Sequence, residues 1–137
     1  MAILLDPSVI VAAADSADLN HGAAVAWFGR VDEPLLLGAL GLAELDVLLQ
    51  RELGAAASRA VVEAVIAGSI RLVAPTQEDL ERAATLLEEA AEHRPRLADA
   101  LLIATAERLG IRRVAAFDRR PLAVFRPRHL RSLDFEP

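Results

Sequence analysis

The chain has 137 residues, long enough for one domain with a sizeable core. It has no Cys, which excludes disulfides, thiolate zinc sites and cysteine nucleophiles, and all fifteen of its basic residues are Arg, which excludes every mechanism that needs a lysine. Its formal charge of −5 argues against bulk attraction to nucleic acid, but the charge is unevenly spread: acids dominate from Glu78 to Glu92, and Arg from Arg112 to Arg131.

Ala2–Leu5 reads as a short buried strand. Asp6 follows it and is biased to extended geometry by Pro7, which itself fits the first turn of a helix running to Ala14. A carboxylate between the apolar runs Ala2–Leu5 and Val9–Ala14 pays a desolvation cost unless something compensates it. Helix N-capping is the simplest compensation. A second helix is expected over His21–Val31, then an apolar run at Pro34–Leu37.

The helical stretch Leu42–Leu53 follows, with Gly54 as its stop. Taking Leu42, Leu45, Leu48, Leu49 and Leu53 as its core stripe, Glu44 and Asp46 flank that stripe on opposite sides. The helical wheel does not choose between them. Ala55–Ala67 continues as helix, Gly68-Ser69 breaks it, and Ile70–Val73 is the next strand.

Thr76 and Asp79 have the spacing of a capping box for a long helix, Gln77–Glu92. Arg94-Pro95-Arg96 separates it from Leu97–Leu109, which Gly110 ends. In LADALLIATA the only polar side chains are Asp99 and Thr105, so the helix is buried, and a buried Asp needs a partner or a raised pKa. Asp99 also lies in the first turn, where the macrodipole favours an anion. Val114–Phe117 is a strand closing on Asp118, Arg119–Phe125 a short helix, and Leu130–Phe135 a last edge strand. Alternating strands and helices predict an α/β fold, a central parallel sheet flanked by helices on both faces, in a single domain spanning 1–137.

In open parallel sheets ligands bind beyond the carboxyl ends of the strands, and Asp6 and Asp118 both stand there. If folding brings Asp6, Glu44, Asp99 and Asp118 within roughly 5 Å, each pair repels by about 3 kcal/mol at an effective dielectric near 20. Protonation, Arg or divalent cations must then compensate. Hard oxygen ligands without His or Cys select Mg²⁺ or Mn²⁺.

The segments LLDPSVIVAAAD, LAELDVLL, DALLIATAERLG and VAAFDRRPL, in this order and at these spacings, resemble a PIN domain, and more narrowly the VapC ribonuclease toxins of VapBC toxin–antitoxin pairs. The resemblance covers nearly the whole chain. It implies a compact PIN-like α/β fold and a metal-dependent endoribonuclease in which Asp6, Glu44, Asp99 and Asp118 hold Mg²⁺ or Mn²⁺. It thereby selects Glu44 over Asp46. Ser8 matches the small hydroxyl residue two positions after the first Asp and is expected to steady a carboxylate or a metal-bound water. Pro7 and Ala116 depart from the family pattern by removing hydroxyls that relatives often carry.

The acids repel RNA, so the RNA-binding candidates are Arg112, Arg113, Arg119, Arg120, Arg126 and Arg128, acting on phosphates. Trp27 and the four Phe offer few stacking platforms, which favours recognition of RNA shape. The resemblance further implies a cognate VapB-like antitoxin, a homodimer, and operator DNA bound only indirectly through the antitoxin. Val25–Phe28 and Ala55–Ile66 are the candidate contact surfaces, core packing being the simpler account of each residue in them.

Two other classes were weighed. A haloacid-dehalogenase-type phosphohydrolase wants an Asp where Ser8 stands and a catalytic Lys. A non-catalytic binding module would use the acids only as helix caps. His21, His93 and His129 show no metal-ligand spacing. With no basic n-region and no long apolar run, the protein is expected to be cytoplasmic and free of membrane.

Overall fold

The computed structural model describes residues 1–137. At its centre five strands, β1 (Ile3–Leu5), β2 (Leu35–Gly38), β3 (Arg71–Val73), β4 (Arg113–Ala115) and β5 (Asp134–Glu136), form one parallel sheet in the order β3-β2-β1-β4-β5. Seven helices connect them: α1 (Pro7–Ala14), α2 (His21–Arg30), α3 (Ala39–Leu53), α4 (Ala55–Ile66), α5 (Gln77–Glu89), α6 (Leu97–Leu109) and α7 (Arg120–Ala123). A single 3-10 turn lies at Ala91–His93. No helix is long and apolar enough to cross a membrane.

Strand β1 is apolar at every position because both faces of the sheet are covered. Ile3, Leu5, Leu37 and Ala115 point to one side, where Val9, Trp27, Leu45, Leu49 and Val61 of α1–α4 pack. Leu4, Leu36 and Val114 point to the other, against Ala83, Leu86, Ala100, Ile103 and Leu122 of α5–α7. The expected helix-covered parallel sheet is therefore what the chain builds. Successive strands run outward from β1 through β2 to β3, and from β4 to β5 on the other side. The switch point falls between β1 and β4, whose carboxyl ends carry Asp6 and Asp118.

Local chemistry sets the element ends. Asp6 is the N-cap of α1 and Pro7 its first residue. Helix α6 closes in a Schellman arrangement: Gly110, at φ +65°, donates to the Glu107 carbonyl, and Ile111 donates to that of Ala106. Several boundaries differ from expectation, among them the start of α3, which lies at Ala39 instead of Leu42. Helix α5 stops at Glu89 instead of Glu92, because the chain must turn through Arg94, at φ +50°, to lay α6 back along α5. β4 ends at Ala115, not Phe117, since the Phe117 and Asp118 amides leave the ladder to donate to the Ser8 hydroxyl. Helix α7 begins at Arg120, as the Arg119 guanidinium folds back onto the carbonyls of Ala116 and Pro137. The last strand begins at Asp134 because Leu130 and Leu133 turn into the core instead of pairing.

The capping box of α5 is present in full. The Thr76 hydroxyl accepts from the Asp79 amide at 3.1 Å, and the Asp79 carboxylate accepts from the Thr76 amide at 3.0 Å. The second Asp79 oxygen accepts from Arg108 Nε at 2.9 Å, tying α5 to α6. Burial pushes the Asp79 carboxyl up, but the hydrogen bonds from Arg108 and Thr76 outweigh it and hold the group below the usual carboxylate range. Replacing Asp79 by Ala removes a cap and a buried acceptor together. It should lower the unfolding free energy by about 2 kcal/mol in urea denaturation at neutral pH. A loss under about 0.5 kcal/mol, the scale of a neutral surface change, would mean that this junction does not hold the helices.

Candidate metal-dependent active site

Four carboxylates from four different elements meet in one open cleft of about 430 Å³ at the carboxyl edge of the sheet, its lining including Asp6, Glu44, Asp99 and Asp118. Asp6 stands at the end of β1, its amide still donating to the Ala115 carbonyl of β4 at 2.9 Å. Glu44 projects from the second turn of α3, and Asp99 from the first turn of α6. Asp118 follows β4 by three residues and is exposed. Asp46 instead points away, exposed, accepting from Gln50 Nε2 at 3.2 Å. The tertiary structure thus makes the choice that the helical wheel left open.

Ser8 joins the two strand ends. Its amide (3.0 Å) and its hydroxyl both donate to Asp6 Oδ2. Its oxygen in turn accepts from the amides of Phe117 (3.1 Å) and Asp118 (3.3 Å). One hydroxyl thus fixes the Asp6 rotamer and the loop that carries Asp118. Ala116, buried in the core, has no hydroxyl with which to do either.

A narrow apolar recess lies behind the acids, lined by Leu40, Gly41, Val73, Pro75, Leu102 and others, and shares Asp6, Glu44 and Asp99 with the cleft. That apolar wall sets the electrostatics. Asp99 is pushed up to about 6 first by burial, then by the charges of Asp6, Glu44 and Asp118, with Arg96 opposing. Asp6 is also raised, by burial above all; its hydrogen bonds from Ser8 oppose the shift, while Glu44 and Asp118 add to it. Two carboxyls held above their ordinary range in one cleft, by burial first and by their neighbours' charges second, mark a place that a cation would relieve.

The donor set is all oxygen and all carboxylate, the chemistry that suits Mg²⁺ or Mn²⁺. No three of these side chains are gathered at ligating distance around one point; they ring the cleft instead. Mg²⁺ keeps several of its waters and binds through one or two carboxylates, so such a ring fits it.

The basic residues are placed differently from expectation. Arg112 and Arg113 lie at the amino-terminal edge of the sheet, away from the cleft. Arg112 pairs with Asp134 at 3.1 Å. Arg113 binds Glu136 through two nitrogens and also Glu33, and these bonds raise its pKa further. Arg119 is held by two backbone carbonyls and lies over the Phe135 ring at 5.5 Å. Arg126 and Arg128 line other depressions on the α5–α7 side. Arg120 is exposed beside Pro121, which lines the cleft.

The sequence reading did not single out Arg96, which lines the cleft and meets Glu44 at 3.2 Å, nor Asp18, Asn20, Leu48 and Phe117 at its rim. Its spacing of three residues before Asp99, at the start of the same helix, was the available signal. The Arg96 side chain is 63% exposed, so its pair with Glu44 contributes about 1 kcal/mol at most. Trp27, weighed as a stacking platform and part of a contact surface, is in the core and donates to Glu136 Oε1 at 2.9 Å. His21 and His129 bind the backbone carbonyls of Ala12 and Ile111, and His93 lies next to Glu92; none faces the cleft.

The chain is similar to known proteins in sequence and in fold. The chain is 27% identical over 125 residues to Ribonuclease VapC26 of Mycobacterium tuberculosis, covering 91% of this chain and 93% of that protein. Its fold superposes on the crystal structure of Mycobacterium tuberculosis VapC20, described as a sarcin-ricin loop cleaving toxin, with a TM-score of 0.82 and 25% identity over 94% of this chain and 98% of that one. VapBC2 from Rickettsia felis, solved on a DNA fragment from its promoter, has the same fold at 11% identity, with a TM-score of 0.71 and full coverage of both chains. The PIN domain model matches residues 3–126. A match of that length, over a fold whose strand ends carry the acids, means that this chain belongs to the PIN domain family.

Proposed function

We propose that this chain is a VapC-type toxin, an endoribonuclease that hydrolyses RNA phosphodiester bonds with Mg²⁺ or Mn²⁺ and is neutralised by a cognate antitoxin. The observation that carries the reading is the convergence of Asp6, Glu44, Asp99 and Asp118 on one cleft, with Asp99 pushed up to about 6. Helix capping accounts for Asp6 alone, and does not explain acids brought in from α3, α6 and the loop after β4. A phosphohydrolase reading lacks support, since Ser8 occupies the position of the second Asp and the chain has no Lys.

Asp6, Glu44, Asp99 and Asp118 would hold one or two cations. The chemistry a cation would supply there is activation of a water nucleophile and stabilisation of charge on the scissile phosphate. The residues do the rest. Ser8 holds the Asp6 carboxylate and the Asp118 loop in fixed relation, so the binding geometry does not have to be assembled on each encounter. The apolar residues of the recess behind the acids lower the local dielectric there, which strengthens the charge interactions beside them.

Several neighbours of the same fold are toxin–antitoxin complexes, which supports a VapB-like antitoxin as partner. Homodimerisation, an indirect hold on operator DNA through the antitoxin, and a cytoplasmic location belong to the same reading. On the surfaces first considered for these contacts, Val25, Val62 and Ile66 stand exposed.

Three outcomes test the reading. Asp6→Asn and Asp99→Asn should each abolish Mg²⁺-stimulated cleavage of RNA while leaving the circular dichroism spectrum unchanged. Asn remains a good N-cap at position 6, so only the charge is lost. Full activity in both purified variants, or wild-type cleavage that persists in EDTA, refutes the assignment. Ser8→Ala should cost about 10-fold in apparent metal affinity or activity without abolishing it.

The third outcome concerns pH. The folded protein holds the Asp99 proton more tightly than the unfolded chain does. In EDTA, ionised Asp99 therefore destabilises the fold progressively as pH rises from about 4 through 6. The stability of Asp99→Asn relative to the parent should grow across that window and level off above it. A difference that stays flat from pH 4 to about 7.5 in thermal denaturation would remove the raised carboxyl from the account.

A further inference from the structure

We infer that Arg96 is the residue that receives the substrate phosphate in this cleft, exchanging Glu44 for RNA. The inference rests on the nuclease reading above and deepens it.

The lining of the cleft contains five carboxylates, Asp6, Asp18, Glu44, Asp99 and Asp118, and one cationic side chain, Arg96. A phosphodiester entering it meets net negative charge unless that one guanidinium, or a bound cation, faces it. Arg120 is exposed at the rim beside Pro121 but is not part of the lining, and the other nearby Arg side chains are committed elsewhere. Arg119 has two nitrogens committed to the Ala116 and Pro137 carbonyls, and Arg112 and Arg113 are paired at the other edge of the sheet.

Arg96 is also built to exchange partners. Its backbone is fixed as the N-cap of α6, its carbonyl accepting from the Ala100 amide at 3.1 Å. Its side chain is 63% exposed and touches Glu44 through one nitrogen at 3.2 Å, leaving the other guanidinium donors free. A contact of that kind, in contact with water, is weak and easily traded. A phosphate offers the same fork two oxygens and a charge-assisted pair. Its charge also reaches Asp99, where it opposes the upward shift that burial and the other acids impose. Arg96 is thus a counter-ion for the acids in the free protein and a phosphate ligand when RNA is present.

The test compares wild type with Arg96→Gln and Arg96→Lys in three measurements: binding of a single-stranded RNA oligonucleotide in EDTA over a range of salt, steady-state cleavage with Mg²⁺, and titration with Mn²⁺ alone. Arg96→Gln should weaken RNA binding and raise KM, each about 10-fold, with a smaller change in kcat, and lower the salt slope by about 0.7, the value of one phosphate contact on a single strand. It should bind Mn²⁺ more tightly, because Glu44 and Asp99 lose a competing cation. Arg96→Lys, which keeps the charge but loses the fork, should recover the salt slope and only part of the affinity. A residue of merely structural importance would move neither the salt slope nor the Mn²⁺ titration in this direction. Wild-type KM and salt slope in Arg96→Gln, or a fall in kcat alone, overturns the inference. Wild-type protein that shows no metal-stimulated cleavage overturns the nuclease reading instead, so the two failures are distinct.

Discussion

Repulsion between carboxylates that share an apolar back wall is the constraint around which this protein is organised. Asp6, Glu44 and Asp99 each border both the open cleft and the recess lined by Leu40, Val73 and Leu102. Facing water alone, such acids would interact weakly. The apolar wall removes solvent from one side, which strengthens their mutual repulsion and lifts Asp99 to about 6. The same unfavourable arrangement makes the cleft a receptor for positive charge, whether it comes from a divalent cation or from a guanidinium.

Holding the acids together against that repulsion requires a rigid frame, and the parallel sheet provides it. The reversal of strand order between β1 and β4 leaves a crevice at their carboxyl ends, and Asp6 and Asp118 flank it. Ser8 closes that crevice from below by bonding the Asp6 carboxylate and two amides of the loop after β4. Much of the arginine complement serves the same frame. Arg113 gathers Glu136 and Glu33, Arg108 anchors Asp79, Arg82 binds Glu107 through two nitrogens, and Arg119 fastens the chain end. Among them the Arg82–Glu107 pair, with both side chains almost covered, is screened least by solvent.

The local features were legible because their causes are local. The apolar triplet of β1, the Asp6-Pro7 start of α1, the Thr76–Asp79 box and the Gly110 stop each follow from a few neighbouring residues, and each stands where the pattern puts it. Two of the misplaced boundaries have clearly non-local causes. Ser8 draws the Phe117 and Asp118 amides out of β4, and the return of α6 along α5 cuts off a helix that Glu88–Glu92 would otherwise continue. The arginines from Arg112 to Arg128 share one expected role on RNA phosphates, whereas successive residues of a strand and its flanking turns point to different partners. Arg113 therefore ended in an ion-pair cluster and Arg119 on backbone carbonyls.

The sequence by itself determined the layered α/β architecture and the presence of four acids at element ends, since hydrophobic period, capping and turn chemistry are written in short windows. Only the tertiary structure decided which acid of α3 faces the others. It also decided which arginine stands among them and how far burial shifts Asp99. Those outcomes depend on distances between β1, α3, α6 and the loop after β4, and electrostatic energy depends on distance in space and on the surrounding dielectric, neither of which is a property of spacing along the chain.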